Sequence, residues 1–150
     1  MDQMTADQII AALNLSPHPE GGWYAETWRA ASGPGQRPTG TAIYFLLKAS
    51  ERSHWHRVDA TEIWHHYAGA PLTLHLAESE AGPATAQTLG PDLGAGHRPQ
   101  GIVPPHWWQA AESQGGWTLV GCTVSPGFDF AGFELAPAGF DIPRGAASDV

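Results

Sequence analysis

The chain has a single cysteine, Cys122, so no internal disulfide can staple it. That sparing use of cysteine fits a reducing, cytoplasmic setting. Basic residues are scarce too: 7 Lys and Arg stand against 15 Asp and Glu, a formal charge of −8. A surface of that sign repels phosphate backbones and anionic lipid, which argues against nucleic-acid and membrane partners. Long apolar runs are missing; the best, Ala42 to Leu47, falls far short of a membrane-spanning helix. The first residues lack the basic region and apolar stretch of a secretion signal. No Gly-x-Ser-x-Gly elbow occurs, so a serine hydrolase has no foundation here. The glycine-rich GPGQRP, residues 33–38, is not followed by Lys-Ser or Lys-Thr and so is no phosphate loop; it reads as a mobile connection or lid.

What is abundant points to strands and turns. With 18 Gly and 13 Pro in 150 residues, the chain suits many short strands in one domain spanning 1–150. Residues 5–14 read as the one helix, with Thr5 and Gln8 as a capping box and Ile9, Ile10 and Leu13 on one apolar face. LSPHPEGG, residues 15–22, breaks it with two prolines and paired glycines. After that the hydrophobic period is two. Strands are predicted at 23–29, 41–48, 53–58, 62–68, 71–77, 85–89, 101–103, 107–111, 117–124 and 128–135. Gly132 reads as a bulge in the last of these. The pattern predicts an all-β sandwich or barrel over about 23–136, followed by a loosely held tail at 139–150.

The densest chemistry lies in SHWHRVDATEIWHHYAG, residues 53–69. Strand alternation puts His54 and His56 on one face. A turn at 59–61 would return Glu62 to that face, with Trp64 and His66 following it inward and His65 and Tyr67 facing away. Two imidazoles and a carboxylate form a competent donor set for a divalent transition metal.

That stretch resembles the first cupin motif, as His54-x-His56-(x5)-Glu62-(x6)-Gly69. Pro104-Pro105-His106-Trp107-Trp108-Gln109 is similar to the second, with Gln109 where the last ligand histidine belongs. The blocks PHPEGGWYAETWR (17–29), TAIYFLL (41–47), WHRVDATEIWHHYAGAPL (55–72), LGPDLGAGHRPQGIVPPHWWQAA (89–111) and WTLVGCTVSPGFDFAGFELA (117–136) resemble one branch, the uncharacterised RmlC-like jelly rolls of cupin family five. The resemblance implies an all-β double-stranded β-helix, a jelly-roll barrel with a short N-terminal helix. It also implies a homodimer with a ligand-sized cavity. It leaves the reaction open.

His56 and Glu62 are the expected catalytic pair, able to move protons near neutral pH. Trp64, His66, Gln109, Tyr44 and Arg29 are the expected ligand-binding residues. Gln109 would hydrogen-bond a small polar ligand, Arg29 would hold an anionic group or pair with Glu26, and Tyr44 would serve as a general acid or sit in the core. Because an amide is a poor substitute for imidazole on a transition metal, the expectation is a site without a metal; His54, His56 and Glu62 are the ligands of the alternative. Cys122 reads as a buried thiol, and His18, His75, His97 and His106 as surface or loop residues, with His106 near the cavity mouth. Three functions stay open: a metal-independent isomerase or epimerase, a metal-dependent oxygenase or lyase, and a non-catalytic metabolite-binding module.

Overall fold

The computed structural model describes residues 1 and 3–145. Helix α1 (Ala6–Leu13) starts on Thr5, whose hydroxyl accepts from the Gln8 amide while the Gln8 side chain accepts from the Thr5 amide. It ends on Asn14 in the left-handed conformation. Its Ile9 is buried against Leu46 and Leu119, on the outer face of the larger sheet.

That sheet contains β1 (Ser16–Pro17), β2 (Trp23–Arg29), β3 (Thr41–Lys48), β5 (Thr61–Gly69), β8 (Gln100–Val103) and β10 (Trp117–Ser125), ordered β1-β2-β3-β10-β5-β8. The second contains β4 (Arg52–Val58), β6 (Leu72–Ala77), β7 (Thr85–Leu89), β9 (Trp108–Ser113) and β11 (Phe133–Leu135), ordered β11-β4-β9-β6-β7. All strand pairs are antiparallel, and the two sheets face each other as a jelly-roll barrel. Phe45, Leu47, Trp64, Leu72, Leu74, Leu76, Val103 and Val120 fill one end of the space between them.

Most predicted strands appear within one or two residues of the expected limits. The exception is 128–135. Only Phe133–Leu135 is strand there; Phe130–Gly132 is a short 3-10 turn whose Ala131 amide donates to the Asp129 side chain. Gly132 is therefore no bulge. A side chain there would meet the Asp59 carboxylate, and Asp59 N–H donates to the Gly132 carbonyl. The tail is also better held than its lack of periodicity implied. Ile142 is buried, Phe140 packs on Trp108, and Asp141 accepts from Trp55 Nε1 at 2.9 Å. Residues 146–150 of that predicted tail lie outside the described residues.

Candidate functional site

The other end of the barrel is hollow. A cavity of about 250 Å³ opens between β2, β3, β5 and β10 on one side and β4 with the 128–133 segment on the other. Its floor is polar and buried: His18, Glu20, His56 and Glu62. Its walls are Thr41, Ile43, Val58 and Val124, and Tyr24, Phe128, Phe130 and Phe133 ring the mouth.

Local backbone explains how the floor is assembled. Gly21 and Gly22 have φ of +106° and +82°, which only glycine adopts without strain. The turn is closed by the His18 amide donating to the Gly22 carbonyl at 2.9 Å and the Gly21 amide to the His18 carbonyl at 3.0 Å. It lies so close to β4 that a side chain on Gly21 would collide with the Arg52 carbonyl. Glu20 is thereby delivered to Ser53 and His56. The Ser53 hydroxyl donates to Glu20 Oε2, and His56 Nε2 stands 3.2 Å from the same oxygen.

A second local feature orients His56. The register of β4 against β9 slips between Ser53 and His56. One extra residue in a strand shifts the alternation of faces. Ser53 and His56 therefore share the cavity side although they are three apart. Trp55 instead packs with Ala77, Trp108 and Ala110. The expectation that His54 and His56 point together fails for this reason: His54 Nε2 bonds the Pro137 carbonyl at 2.9 Å and leaves the site.

His56 Nδ1–H donates to the His54 carbonyl at 2.7 Å, so Nε2 is the free acceptor in the neutral ring. Burial lowers the affinity of His56 for a proton, against the opposing pull of Glu62. Glu20 is fully enclosed, and burial pushes its pKa up to about 8, against the Ser53 hydrogen bond. Burial likewise pushes Glu62 up to about 7, with His56 opposing and Glu20 reinforcing. His18 accepts from the Glu20 amide through Nδ1 at 3.1 Å, and its pKa falls to about 4 because of burial first and the nearby His56 second.

Beneath the floor, Gln109 Nε2 donates to Glu62 Oε1 at 3.0 Å, and Trp64 Nε1 donates to Gln109 Oε1 at 2.7 Å. The Cys122 thiol also hydrogen-bonds Glu62 and, as expected, is buried. Trp64 and Gln109 thus hold Glu62 in place from behind and do not line the cavity.

Of the other predicted ligand-binding residues, Arg29 lines the mouth, where Nε and a terminal nitrogen donate to the two Glu26 oxygens at 3.0 and 2.8 Å. Tyr44 lies on the opposite face of β3, packed with the helix-side cluster and edge-on to Tyr67. That removes it as a general acid. His66 sits at the far end of β5 with Nε2 on the Ala70 carbonyl, away from the cavity. His75 is buried on β6, not superficial, and its Nε2 meets Glu112 at 3.0 Å outside the site; His18 lies in a loop, as expected, but its side chain turns inward. His106 is on an exposed turn and does not line the mouth.

The donor set proposed for a metal does not fit one. His54 faces away, and the Gln109 oxygen that would replace the last imidazole already accepts from Trp64. Among the described residues no group of three His, Cys, Asp or Glu side chains is arranged to hold a metal ion.

Sequence reasoning missed His18, Glu20 and the phenylalanines of 128–133. The signal for the first two was present in PHPEGG: polar residues framed by proline and paired glycine, where the chain needs a fixed backbone more than a flexible link.

A family profile described as Cupin superfamily (DUF985) matches residues 7–136. Among solved structures, a protein from Shewanella oneidensis is 42% identical, with 89% of this chain and 85% of that one covered and a TM-score of 0.84. A hypothetical protein from Leishmania major is 33% identical, with 91% and 90% covered and a TM-score of 0.81. Oxalate decarboxylase from Bacillus subtilis shares the fold alone, at 11% identity over 79% of this chain and 29% of that one, with a TM-score of 0.60. No curated protein matches the chain.

Proposed function

The chain belongs to the cupin superfamily family DUF985, and on that footing we propose that it binds a small polar metabolite in this cavity and transfers protons on it, as an isomerase or epimerase does without a metal. The observation that carries the reading is the buried His56 ring, fixed at Nδ1 by the His54 carbonyl and facing the buried Glu20 carboxyl on the floor of the cavity. Two carboxyls with pKa values near 7 and 8 share that floor. Burial raises both acids toward neutral pH, so the floor is able to hold a proton donor and a proton acceptor together. Glu62 accepts a proton from the ligand, and Glu20 delivers one to it. His56 Nε2 then relays the proton difference between the carboxyls. Atoms balance with no co-reactant.

At about 250 Å³ the cavity falls just short of the roughly 300–1,000 Å³ of drug-sized ligand pockets, which restricts it to a smaller molecule. A thermal-shift screen of sugars, organic acids, nucleotides and amines tests binding; a ligand at 100 times its Kd adds about 2.7 kcal/mol. Each hit is then incubated in D2O and followed by NMR. Deuterium uptake by the ligand, lost in His56→Ala and Glu62→Gln, is expected. Binding without uptake would make the protein a non-catalytic binding module, and undiminished exchange in His56→Ala would overturn the role of the ring.

The partner proposed for the larger sheet is a second copy of the chain. Trp28, Ala42, Thr123, Ile63 and Ile102 form one cross-strand row on its outer face. Trp28 and Ile102 are more than half exposed, as is Tyr67. Helix α1 covers only the other end of this face. Light scattering is expected to give a dimer for the native chain and a folded monomer for Trp28→Asp; a native monomer at micromolar concentration overturns the assignment.

A further inference from the structure

The charges and rings around the cavity form a pattern that the proton-transfer reading does not use. Three carboxylic residues line it, Glu20, Glu26 and Glu62, against a single guanidinium, Arg29. That guanidinium is engaged by both oxygens of Glu26. Asp129, beside the mouth, adds a further negative field at Arg29. No lysine is among its lining residues, and burial lowers the proton affinity of both its histidines. A phosphorylated or carboxylated ligand would therefore enter a site with no free cation to meet it.

Aromatic rings occupy the rest of the approach. Phe128 and Phe130 meet edge to face at 4.8 Å, and Phe128 and Phe133 at 5.7 Å. Phe133 continues inward to the His56 ring at 5.6 Å, and Tyr24 stands over His18 at 4.5 Å. Ring faces beside carboxylates are what an organic cation requires: the π cloud attracts it and the carboxylate neutralises it. One further polar side chain lines the cavity, that of His18. The His18 side chain, 5% exposed, meets the Glu20 amide at 3.1 Å and Glu20 Oε1 at 3.2 Å through Nδ1. With Nδ1 accepting, the neutral ring carries its proton on Nε2, and that donor has no hydrogen-bond partner among the described residues.

We infer that the cavity selects a small organic ammonium compound, its cationic nitrogen held between the phenylalanines of the mouth and Glu62 and an oxygen acceptor of the same molecule held by His18. The assignment rests on the reading of this cavity as the ligand site and specifies the class of ligand it takes. It excludes nucleotide sugars and di-acids as substrates.

The test compares three probes of nearly one shape and different charge: choline, its uncharged carbon analogue 3,3-dimethylbutan-1-ol, and the anion 3,3-dimethylbutanoate. Calorimetric titration into the native protein at neutral pH is expected to show choline bound at least about tenfold more tightly than the alcohol, a difference of 1.4 kcal/mol. The anion is expected not to bind. Glu62→Gln should cut the preference for choline over the alcohol, and Phe128→Leu should reduce it while leaving every charge in place. Equal or better binding of the alcohol or the anion overturns the ammonium assignment and leaves the cavity as the ligand site. Failure of all three at millimolar concentration also overturns it, whereas the cavity reading itself falls only if the broader ligand screen is blank as well.

Discussion

The two ends of this barrel are built by the same strands and do opposite things. Along β3, Thr41 and Ile43 edge the cavity while Phe45 and Leu47 fill the core. Along β5, Glu62 is floor and Trp64, two residues on, is core. Along β10, Val124 and Cys122 border the hollow end and Val120 the filled one. A step of two residues keeps the side chain on the same face and moves it roughly 6.6 Å along the barrel. The change from packed to hollow is thus written in side-chain size and polarity, not in backbone path. The filled end is dominated by apolar burial, the main favourable term in folding. The hollow end encloses titratable groups, whose burial opposes folding.

Replacing the largest core ring breaks the comparison most directly. Trp64→Ala should lower stability by about 3–5 kcal/mol, through the cavity it leaves and the Gln109 oxygen it strands. His56→Ala, at the hollow end, should cost far less in a urea titration. Equal losses would mean that the two ends are not energetically distinct.

The next effect concerns pH. Glu20 and Glu62 have folded pKa values raised to about 8 and about 7 from 4.5. Above pH 4.5 the unfolded chain gives up these protons while the native chain retains them, so native stability falls as pH rises toward 8. The melting temperature of the ligand-free protein should therefore decline between about pH 6.5 and pH 8; below that range the buried His18 and His56, whose proton affinity is lowered in the fold, pull the other way. Glu20→Gln, which mimics the protonated acid, should flatten that decline and melt higher than the native chain at pH 8. A slope unchanged in the variant would show that Glu20 is ionised in the native protein.

The smallest expected effect is at the mouth. Arg37 donates to both Asp59 oxygens, at 3.0 and 2.7 Å, and to the Gly127 carbonyl, which ties the 30–40 connection to the phenylalanine segment. The pair is partly exposed, so Arg37→Ala should cost about 1 kcal/mol or less. Hydrogen exchange should quicken in 126–132 and stay unchanged in β6 and β9. Faster exchange in β6 and β9 would show that the clamp supports the whole barrel.

How legible each part was follows from how local its cause is. The helix was readable from Thr5 and Gln8 because capping acts within one turn. β2 and β3 were readable because each has its own alternation or apolar run. Residues 128–135 misled because their aromatic content looks like a strand, whereas their role is to cap an opening formed by other elements. The facing of His54 misled because the slip in β4 arises from its pairing with β9, more than fifty residues away, and no glycine marks it. His18 and Glu20 were invisible as site residues because their partners Ser53 and His56 stand over thirty residues further along the chain.

By itself the amino-acid order determined the class of this protein: acidic, strand-rich, closed by turns, with His56 and Glu62 on consecutive strands. Those are consequences of short-range sterics and of hydrophobic period, which each segment carries on its own. Only the folded barrel decided the company those residues keep. Enclosure raises the acids, the slipped strand turns one imidazole in and the other out, and both depend on neighbours brought together across the whole chain.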